Sequence, residues 1–252
     1  MFYNEIGDSM EKIETLIDWI KESKRIVFFG GAGVSTESGL KDFRSVDGLY
    51  NEKYDYPPEE ILSHTFFMNN TEEFYKFYKD KLDTRKFKPN ITHEVLSALE
   101  DKGILSSVIT QNIDGFHQDA GSKKVLELHG SIKRNYCMDC GKFYDDKFVF
   151  SSKGVPRCTC GGLIKPDVVL YEEGLDNNVV NEAIHEIANA DLLIVGGTSL
   201  NVYPAASYLG FFRGKHSVLI NRDRTPYDNR CDLVINDNLG KVFTEIKKEI
   251  ID

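Results

Sequence analysis

The stretch IVFFGGAGVSTESG, residues 26–39, decides the fold class of this chain. Four consecutive apolar residues lead directly into a turn that contains Gly30, Gly31 and Gly33. A continuous apolar strand of this length is typical of a parallel sheet covered on both faces. Glycines at its end let backbone amides approach phosphate oxygens, and a following helix N-terminus adds positive potential. The stretch therefore predicts a strand, an anion-binding turn and a helix in an open α/β sheet.

Short apolar runs recur along the chain and predict the remaining strands. They fall at residues 108–109, 125–128, 192–195, 218–220 and 233–235. Helical patterns lie between several of them, at residues 93–102, 178–190 and 204–213. This alternation favours an α/β fold with a Rossmann-like, doubly wound parallel sheet.

The first helix is predicted from an apolar stripe. Ile13, Leu16, Ile17 and Ile20 follow the helical spacing of three and four residues. Ser9 precedes this stripe and is the predicted N-cap, because its hydroxyl can accept a bond from a free backbone amide.

Two stretches do not fit the sheet pattern. Residues 45–90 are rich in aromatic residues and mostly helical in pattern, and residues 133–165 contain four of the five cysteines. We interpret both as insertions that build one smaller lobe. The predicted division assigns residues 1–44, 91–132 and 166–252 to the large domain.

The composition indicates a globular chain and restricts its partners. The 252 residues are 41% hydrophobic and 28% charged, which suits one large domain with an inserted module. The formal net charge of −9 argues against direct, sequence-independent binding of nucleic acid, which needs positive charge to displace counterions. It is compatible with a basic, lysine-bearing polypeptide partner.

The start of the sequence and its apolar runs lead us to expect a cytoplasmic protein without a membrane partner. The first nine residues are polar and acidic and lack the apolar core of a secretory signal. Runs such as 192–195 are too short to cross a bilayer.

The cysteine spacing predicts a structural zinc site. Cys137 and Cys140 form one close pair, and Cys158 and Cys160 form a second after a spacer in the ~15–20-residue range of zinc ribbons. Four thiolate ligands leave no open coordination position, so the metal takes no part in the chemistry. A redox pair or buried free thiols are the alternatives, and Cys231 is interpreted as a core cysteine.

The glycine turn alone leaves its function open. The dinucleotide fingerprint requires a third glycine where Thr36 stands, and no acidic residue closes a second strand about 20 residues later. A hydride-transferring dehydrogenase is therefore disfavoured. The Lys-Ser/Thr phosphate loop of nucleotide triphosphatases is absent too. A glycine turn that serves only the fold remains possible at this point.

Further polar blocks accompany the turn. They are LKDFRS at 40–45, TQNIDGFHQDAG at 110–121, ELHGS at 127–131 and GGTSL at 196–200. Together, and in this order, the blocks resemble the signature segments of the sirtuin family, the NAD-dependent protein deacylases. The resemblance extends from about residue 28 to about residue 239 and is to the prokaryotic-type minimal catalytic core.

This resemblance implies a reaction and roles for particular residues. Sirtuins use NAD as a co-substrate and convert an acyl-lysine to lysine, with nicotinamide and O-acyl-ADP-ribose as the other products. His129 matches the general base that deprotonates the ribose diol, and Asn112 matches the catalytic asparagine that orients ribose or water. The positions that match cofactor contacts are Ala32, Thr36, Phe43, Arg44, Gln111, Asn112, Ile113, Asp114, His129, Thr198, Ser199 and Asn221.

The resemblance also places a peptide substrate. Val168 and Tyr171 lie in the matching substrate segment, 168–173, and Asn201 and Val202 are expected on the peptide's other side. An extended segment of this kind suits pairing with a substrate strand, although an ordinary edge strand is the plain alternative. Glu172 stands where the family often has glycine, and Lys41 replaces a proline of the loop that closes over the cofactor.

The acyl group is expected to be acetyl or hydrophobic. Tyr78 and Lys81 match the positions at which sirtuins that prefer acidic acyl groups carry a tyrosine and an arginine. Lysine cannot form the planar, bidentate clamp that arginine forms on a carboxylate. A solvated helix face is the other interpretation of these two residues.

The sequence therefore predicts an NAD-dependent lysine deacylase that acts on acyl-lysine proteins or peptides. Mono-ADP-ribosyl transfer is an alternative that shares the first chemical step, and His129 favours deacylation because transfer needs no ribose base. A non-catalytic, NAD-dependent binding module is the alternative from a different class. The oligomeric state is left open.

Overall fold

The computed structural model describes residues 2–41, 56–200 and 204–252. The expectations for Phe43, Arg44, Asn201 and Val202 lie outside these residues.

Strands and helices alternate through most of the described chain. The strands are β1 (Ile26–Gly30), β2 (Leu105–Thr110), β3 (Val125–Glu127), β4 (Gly130–Cys137), β5 (Phe143–Asp145), β6 (Ile164–Val168), β7 (Leu192–Gly196), β8 (His216–Ile220) and β9 (Leu233–Ile235). The α-helices are α1 (Phe2–Glu22), α2 (Pro58–Ile61), α3 (His64–Asn69), α4 (Thr71–Lys81), α5 (Ile91–Asp101), α6 (Phe116–Asp119), α7 (Asp146–Ser151), α8 (Asn177–Asn189) and α9 (Leu239–Ile246).

The larger sheet contains the six strands expected from the apolar runs. Within the described residues its order is β3-β2-β1-β7-β8-β9, and its neighbouring strands are parallel. The chain winds outward from β1 in one direction and then from β7 in the other. The carboxyl ends of β1 and β7 therefore flank the switch point at which open α/β sheets bind ligands. The predicted α/β fold class is confirmed.

Helices cover both faces of this sheet. Apolar residues of α1, α5 and α9 pack on one face, with Leu16, Leu96 and Phe243 among the fully buried side chains. Residues of α8 pack on the other face, where Ile187 is fully buried. Burial on both faces explains why these strands are continuous apolar runs in the sequence.

A second, antiparallel sheet has the order β5-β4-β6. It shares a hydrophobic core with α3 and α4, in which Phe67, Phe74 and Tyr78 are buried together with Ile132 and Ile164. The helical insertion and the cysteine-rich insertion thus form one smaller lobe. β4 passes through residue 132, the predicted boundary of the large domain, so the residue-by-residue division stays a prediction.

Three local expectations were wrong. Ser9 is not an N-cap: α1 begins at Phe2, and the Ser9 hydroxyl donates to Asp237 Oδ2 at 3.0 Å. The glycine turn is followed by two short 3₁₀ turns, Ala32–Val34 and Thr36–Ser38, because Gly39 adopts φ 92° and ends the second one. The helical pattern at 204–213 forms a 3₁₀ segment over Ala205–Phe211.

In the part of the chain that the structure describes, no helix is both long enough and apolar enough to cross a bilayer.

Candidate active site

Two glycine turns lie in contact at the carboxyl ends of β1 and β7. The Gly33 amide donates to the Gly197 carbonyl oxygen at 2.8 Å. A Cβ atom on Gly33 would lie 2.8 Å from Gly197 Cα, closer than the two backbones permit. The glycines are therefore required for the packing of one turn on the other.

A cavity of about 1330 Å³ opens in front of these turns. Its wall includes most of the site residues expected from the sequence: Ala32, Thr36, Gln111, Asn112, Ile113, His129, Val168, Tyr171, Thr198, Ser199 and Asn221. Its volume exceeds the ~300–1,000 Å³ of an ordinary ligand pocket, so it has room for a dinucleotide and for a segment of a second molecule.

His129 has a defined tautomer in this wall. Its Nδ1 lies 2.8 Å from the carbonyl oxygen of Gln111, which can only accept, so Nδ1 carries the proton and Nε2 is left with its lone pair. Burial lowers the pKa of His129 below its ordinary value, although the bond to Gln111 opposes this. Gly130 follows with φ 73°, and a Cβ there would lie 2.0 Å from the Asp167 carbonyl oxygen. The site therefore holds a neutral imidazole that is equipped to accept a proton.

Asp114 is behind the cavity wall. Its side chain is 5% exposed, and its two carboxylate oxygens accept bonds from Ser35 Oγ at 2.7 Å and from the Phe116 amide at 2.9 Å. Ser35 Oγ in turn accepts a bond from Asn112 Nδ2 at 3.1 Å. Burial raises the pKa of Asp114, while these bonds oppose the rise. Asp114 thus acts on the cavity through Ser35 and Asn112.

Gln111 presents an unused donor at the same wall. Its Oε1 accepts a bond from Thr198 Oγ1 at 3.0 Å. Its Nε2 is buried and has no hydrogen-bond partner among the residues that the structure describes. A buried donor without a partner costs free energy, so this atom indicates a bound polar ligand.

The expected substrate segment is extended only at its start. Val168 pairs with Gly130, and the Val169 amide donates to the His129 carbonyl oxygen at 3.0 Å. A turn then follows, in which the Glu173 amide donates to the Leu170 carbonyl oxygen at 3.0 Å. The segment therefore differs from the uniformly extended strand expected from its sequence.

The four clustered cysteines are positioned to bind a zinc ion. The Sγ atoms of Cys137, Cys140, Cys158 and Cys160 all lie within 4.8 Å of one another. Cys137 to Cys160 measures 3.5 Å and Cys140 to Cys158 measures 3.6 Å, near the ~3.8 Å edge of a tetrahedron with ~2.3 Å zinc–sulfur bonds. The Tyr144 hydroxyl donates to Cys158 Sγ at 3.1 Å and orients that ligand.

Cys231 lies outside the cysteine cluster, and Tyr78 and Lys81 lie outside the cavity wall. Cys231 packs at the edge of the core on the α8 face, and burial raises the pKa of its thiol to about 11. Tyr78 is fully buried between aromatic rings, and Lys81 pairs with Asp80 at 3.0 Å. Neither of these two residues lines the cavity.

Ser35 and several charged residues at the cavity wall carry no specific signal in the sequence. Ser35 lies between Ala32 and Thr36 in the quoted turn, and this position was the only available signal. Glu37 lines the cavity and accepts a bond from the Gly240 amide at 3.1 Å. Arg222 and Asp223 line it beside Asn221, in a loop whose sequence carries no distinct pattern.

Comparison with known proteins identifies the family. A family model described as "Sir2 family" matches residues 31–204, which is more than half of the chain. The chain belongs to the Sir2 family. Curated relatives extend the similarity of this Sir2 protein over almost its whole length.

A Clostridium perfringens NAD-dependent protein deacetylase is 58% identical over 94% of this chain and 98% of its own length. A protein of the same description from Clostridium acetobutylicum is 55% identical over 94% of this chain and 98% of its own length.

Solved Sir2 structures share the fold. One with deacetylated p53 peptide and 3′-O-acetyl ADP ribose is 38% identical, with a TM-score of 0.86, and the match covers 94% of this chain and 98% of that one. A Sir2 protein bound to acetylated peptide is also 38% identical, with a TM-score of 0.83 over the same shares of the two chains.

Proposed function

We propose that this Sir2 protein is an NAD-dependent protein lysine deacetylase, which yields nicotinamide, O-acyl-ADP-ribose and free lysine. The observation that carries the proposal is the His129 imidazole, whose proton lies on Nδ1 toward Gln111 and whose Nε2 is available in the wall of the large cavity. Relatives named NAD-dependent protein deacetylases, at 58% and 55% identity over 94% of the chain, support it.

The residues present fit an NAD molecule. The contacting glycine turns at Gly33 and Gly197 give a backbone surface that a diphosphate can approach, and the unpartnered Gln111 Nε2 is a donor for it or for a ribose. We assign the diphosphate and riboses to Ala32, Thr36, Gln111, Thr198 and Ser199, and the adenosine end to Asn221. When bound, NAD supplies the electrophilic ribose carbon and nicotinamide as its leaving group.

The chain's own residues would then move a proton and hold the reacting groups. His129 Nε2 accepts the proton of a ribose hydroxyl, because the imidazole is neutral at physiological pH. Asn112, held by Ser35, orients the ribose or a water molecule. Ile113 lines the cavity on the nicotinamide side, and the Asp114–Ser35 pair lies behind this wall.

The peptide is assigned to the cavity side of the segment that contains Val168 and Tyr171. Tyr171 is 41% exposed there, although both its amide and its carbonyl oxygen are bonded within the protein. The assignment of Phe43 and Arg44 to the cofactor, and of Asn201 and Val202 to the peptide, completes the proposed site. The expected acyl group remains acetyl or a hydrophobic chain.

The zinc ion has a structural role in this proposal. Cys137 and Cys158 belong to the core of the smaller lobe, so the metal stabilises the lobe against which the peptide segment packs. A site of four thiolates requires a reducing compartment, which supports our proposal of a cytoplasmic location.

One experiment tests the proposal against its alternatives. The protein is incubated with NAD and an acetyl-lysine peptide, and peptide and protein are followed by mass spectrometry. We expect deacetylated peptide, nicotinamide and O-acetyl-ADP-ribose in equal amounts. ADP-ribose attached to protein, without deacetylation, would indicate a transferase. Binding of NAD without either product would indicate a non-catalytic module.

A further inference from the structure

Glu172 adopts a backbone conformation that suits glycine. It has φ 76°, and it is the third residue of the turn that the Glu173 amide closes onto the Leu170 carbonyl oxygen. A positive φ at this position is the mark of a type II turn, in which glycine is strongly preferred. A residue with a Cβ is strained here, so some other contact must hold it.

The Glu172 carboxylate supplies that contact. Its Oε2 accepts a hydrogen bond from the Thr65 amide at 2.9 Å. Thr65 is the second residue of α3, where the backbone amide has no partner within the helix. Glu172 therefore ties the turn to the start of this helix in the smaller lobe.

Glu173 makes a second set of hydrogen bonds that join the turn to α3 and to β6. Its Oε1 lies 2.8 Å from His64 Nδ1, and its Oε2 accepts bonds from Lys165 Nζ at 3.1 Å and from the Leu170 amide at 2.9 Å. We call Glu172 and Glu173 the acidic latch. The two carboxylates fasten one turn to α3 and to β6.

Two backbone hydrogen bonds hold Tyr171, the residue that precedes the acidic latch. The Tyr171 amide donates to the Leu62 carbonyl oxygen, and its own carbonyl oxygen accepts a bond from the His64 amide, each at 3.0 Å. Two residues earlier, the Val169 amide is bonded to the His129 carbonyl oxygen. The position of the exposed Tyr171 ring relative to His129 therefore depends on the geometry of this turn.

We propose that Glu172 is a positioning residue for the peptide substrate. Its carboxylate holds a strained turn against α3 and so presents Tyr171 and the neighbouring cavity wall in the geometry that the acyl-lysine peptide needs. The inference rests on the proposed function for the identity of the peptide. Glycine at position 172 would relieve the backbone strain and would also remove the bond to the Thr65 amide, while Glu173 and the Tyr171 backbone would still contact α3.

Three substitutions separate positioning from simple stability. Glu172→Gln keeps an oxygen acceptor for the Thr65 amide. Glu172→Ala loses the acceptor and keeps the Cβ strain, and Glu172→Gly loses the acceptor and relieves the strain. For each protein we would measure the Kd of a fluorescent acetyl-lysine peptide, its KM and kcat, the KM for NAD, and the melting temperature.

We expect the variants to bind the peptide more weakly, and we expect this loss of affinity not to follow their melting temperatures. Glu172→Gly and Glu172→Ala should raise the peptide Kd and KM about tenfold, with kcat and the KM for NAD within twofold. Glu172→Gly should melt at or above the wild-type temperature, and Glu172→Ala below it. Glu172→Gln should restore peptide binding to within about threefold.

An unchanged peptide Kd in Glu172→Gly would overturn the proposal, as would a loss of affinity that follows the melting temperature across the three variants. The Kd measurement needs no turnover. A wild-type protein that binds the peptide but forms no product would therefore contradict the proposed function and leave the test of the latch intact.

Discussion

Asp114 and Ser35 are joined by a hydrogen bond of 2.7 Å that lies beneath the cavity wall, with both side chains at most 5% exposed. Ser35 Oγ has one proton to donate, which it gives to Asp114, and it accepts the bond from Asn112 Nδ2. The direction of the Asn112 amide thus depends on a residue that does not line the cavity.

Ser35→Ala should reduce turnover more than stability. The change removes the acceptor for Asn112 and one of the two donors to the buried Asp114 carboxylate, so Asn112 loses its fixed direction. We expect kcat to fall about 10- to 100-fold, which is less than the ~10²–10³-fold loss caused by removing a donor that itself contacts the reacting atoms, because Ser35 acts through Asn112. Steady-state deacetylation with an acetyl-lysine peptide measures this.

Ser38→Ala is the matched control, because Ser38 lies in the same turn and bonds to Asn90 instead. It should keep kcat within about twofold. Equal losses in the two variants would refute a specific role for the Asp114–Ser35–Asn112 chain.

Protonation of His129 should set the acid limb of the pH profile of kcat/KM. Because burial lowers its pKa, the imidazole stays neutral to a lower pH than the ordinary histidine value of about 6.5. We therefore expect kcat/KM to fall on acidification only below that value. His129→Ala should abolish deacetylation and leave NAD affinity within about threefold, as measured by calorimetry.

His185→Ala, which changes a histidine that is 69% exposed on α8, provides the comparison. It should reproduce the wild-type profile. An acid limb centred above pH 7 in the wild type would contradict a neutral His129 base.

Zinc should be bound at one ion per chain and should stabilise the smaller lobe. Elemental analysis by mass spectrometry tests the stoichiometry. A strong chelator, or Cys140→Ala, should lower the melting temperature markedly, since binding free energies of structural zinc sites are on the order of 10 kcal/mol. Cys140 is exposed, so its truncation leaves little cavity and reports mainly on the metal.

Cys231→Ala should retain the zinc ion and melt within a few degrees of the wild type. A fully active, thermally unchanged protein after complete removal of zinc would show that the cysteine cluster has no structural role.

A buried histidine pair should make the protein sensitive to acid. The rings of His93 and His117 lie 4.7 Å apart, and burial lowers the pKa of both, that of His93 to about 4. Each folded-state pKa is below the unfolded value of about 6.5. The contribution of the two neutral histidines to the free energy of unfolding is therefore fully present above pH 6.5 and is lost as the pH falls toward 4. For His93 the loss is about 3 kcal/mol, at 1.36 kcal/mol per pKa unit.

His93→Gln tests this, because glutamine can still accept the Asn90 amide bond that His93 Nδ1 accepts at the start of α5. Urea unfolding at pH 7 and pH 5 should show a smaller difference in the variant than in the wild type. The same pH dependence in both proteins would rule out His93 as its source.

The sequence predicted the parts of the fold whose signals are local. The strands around Phe28 and Ile194 are continuous apolar runs because both faces of the sheet are covered. The spacing of the four cysteines in the sequence is typical of a metal site, and their Sγ atoms do lie close together. The start of α1 was missed, since an apolar stripe says which face is buried and not where the helix begins.

The depth of Asp114 behind the cavity wall and the backbone strain at Glu172 could not be predicted from local sequence signals. Asp114 matched a cofactor contact by its place in the QNID block, but its distance from the cavity depends on how Ser35 packs across from another strand. Glu172 was noticed only as a departure from glycine. Its positive φ is sustained by Thr65, which lies in another part of the chain.

The pairing of β1 with β7 also governs when the active site can form. Phe28 is next to Ile194 in the sheet, so one edge of β1 has no partner until most of the chain has left the ribosome. Closing so long a loop is slow, and an open apolar edge can associate with other chains in the meantime. The glycine contact between residues 33 and 197 needs the end of β7, so the cofactor cavity cannot be complete before this strand has been synthesised.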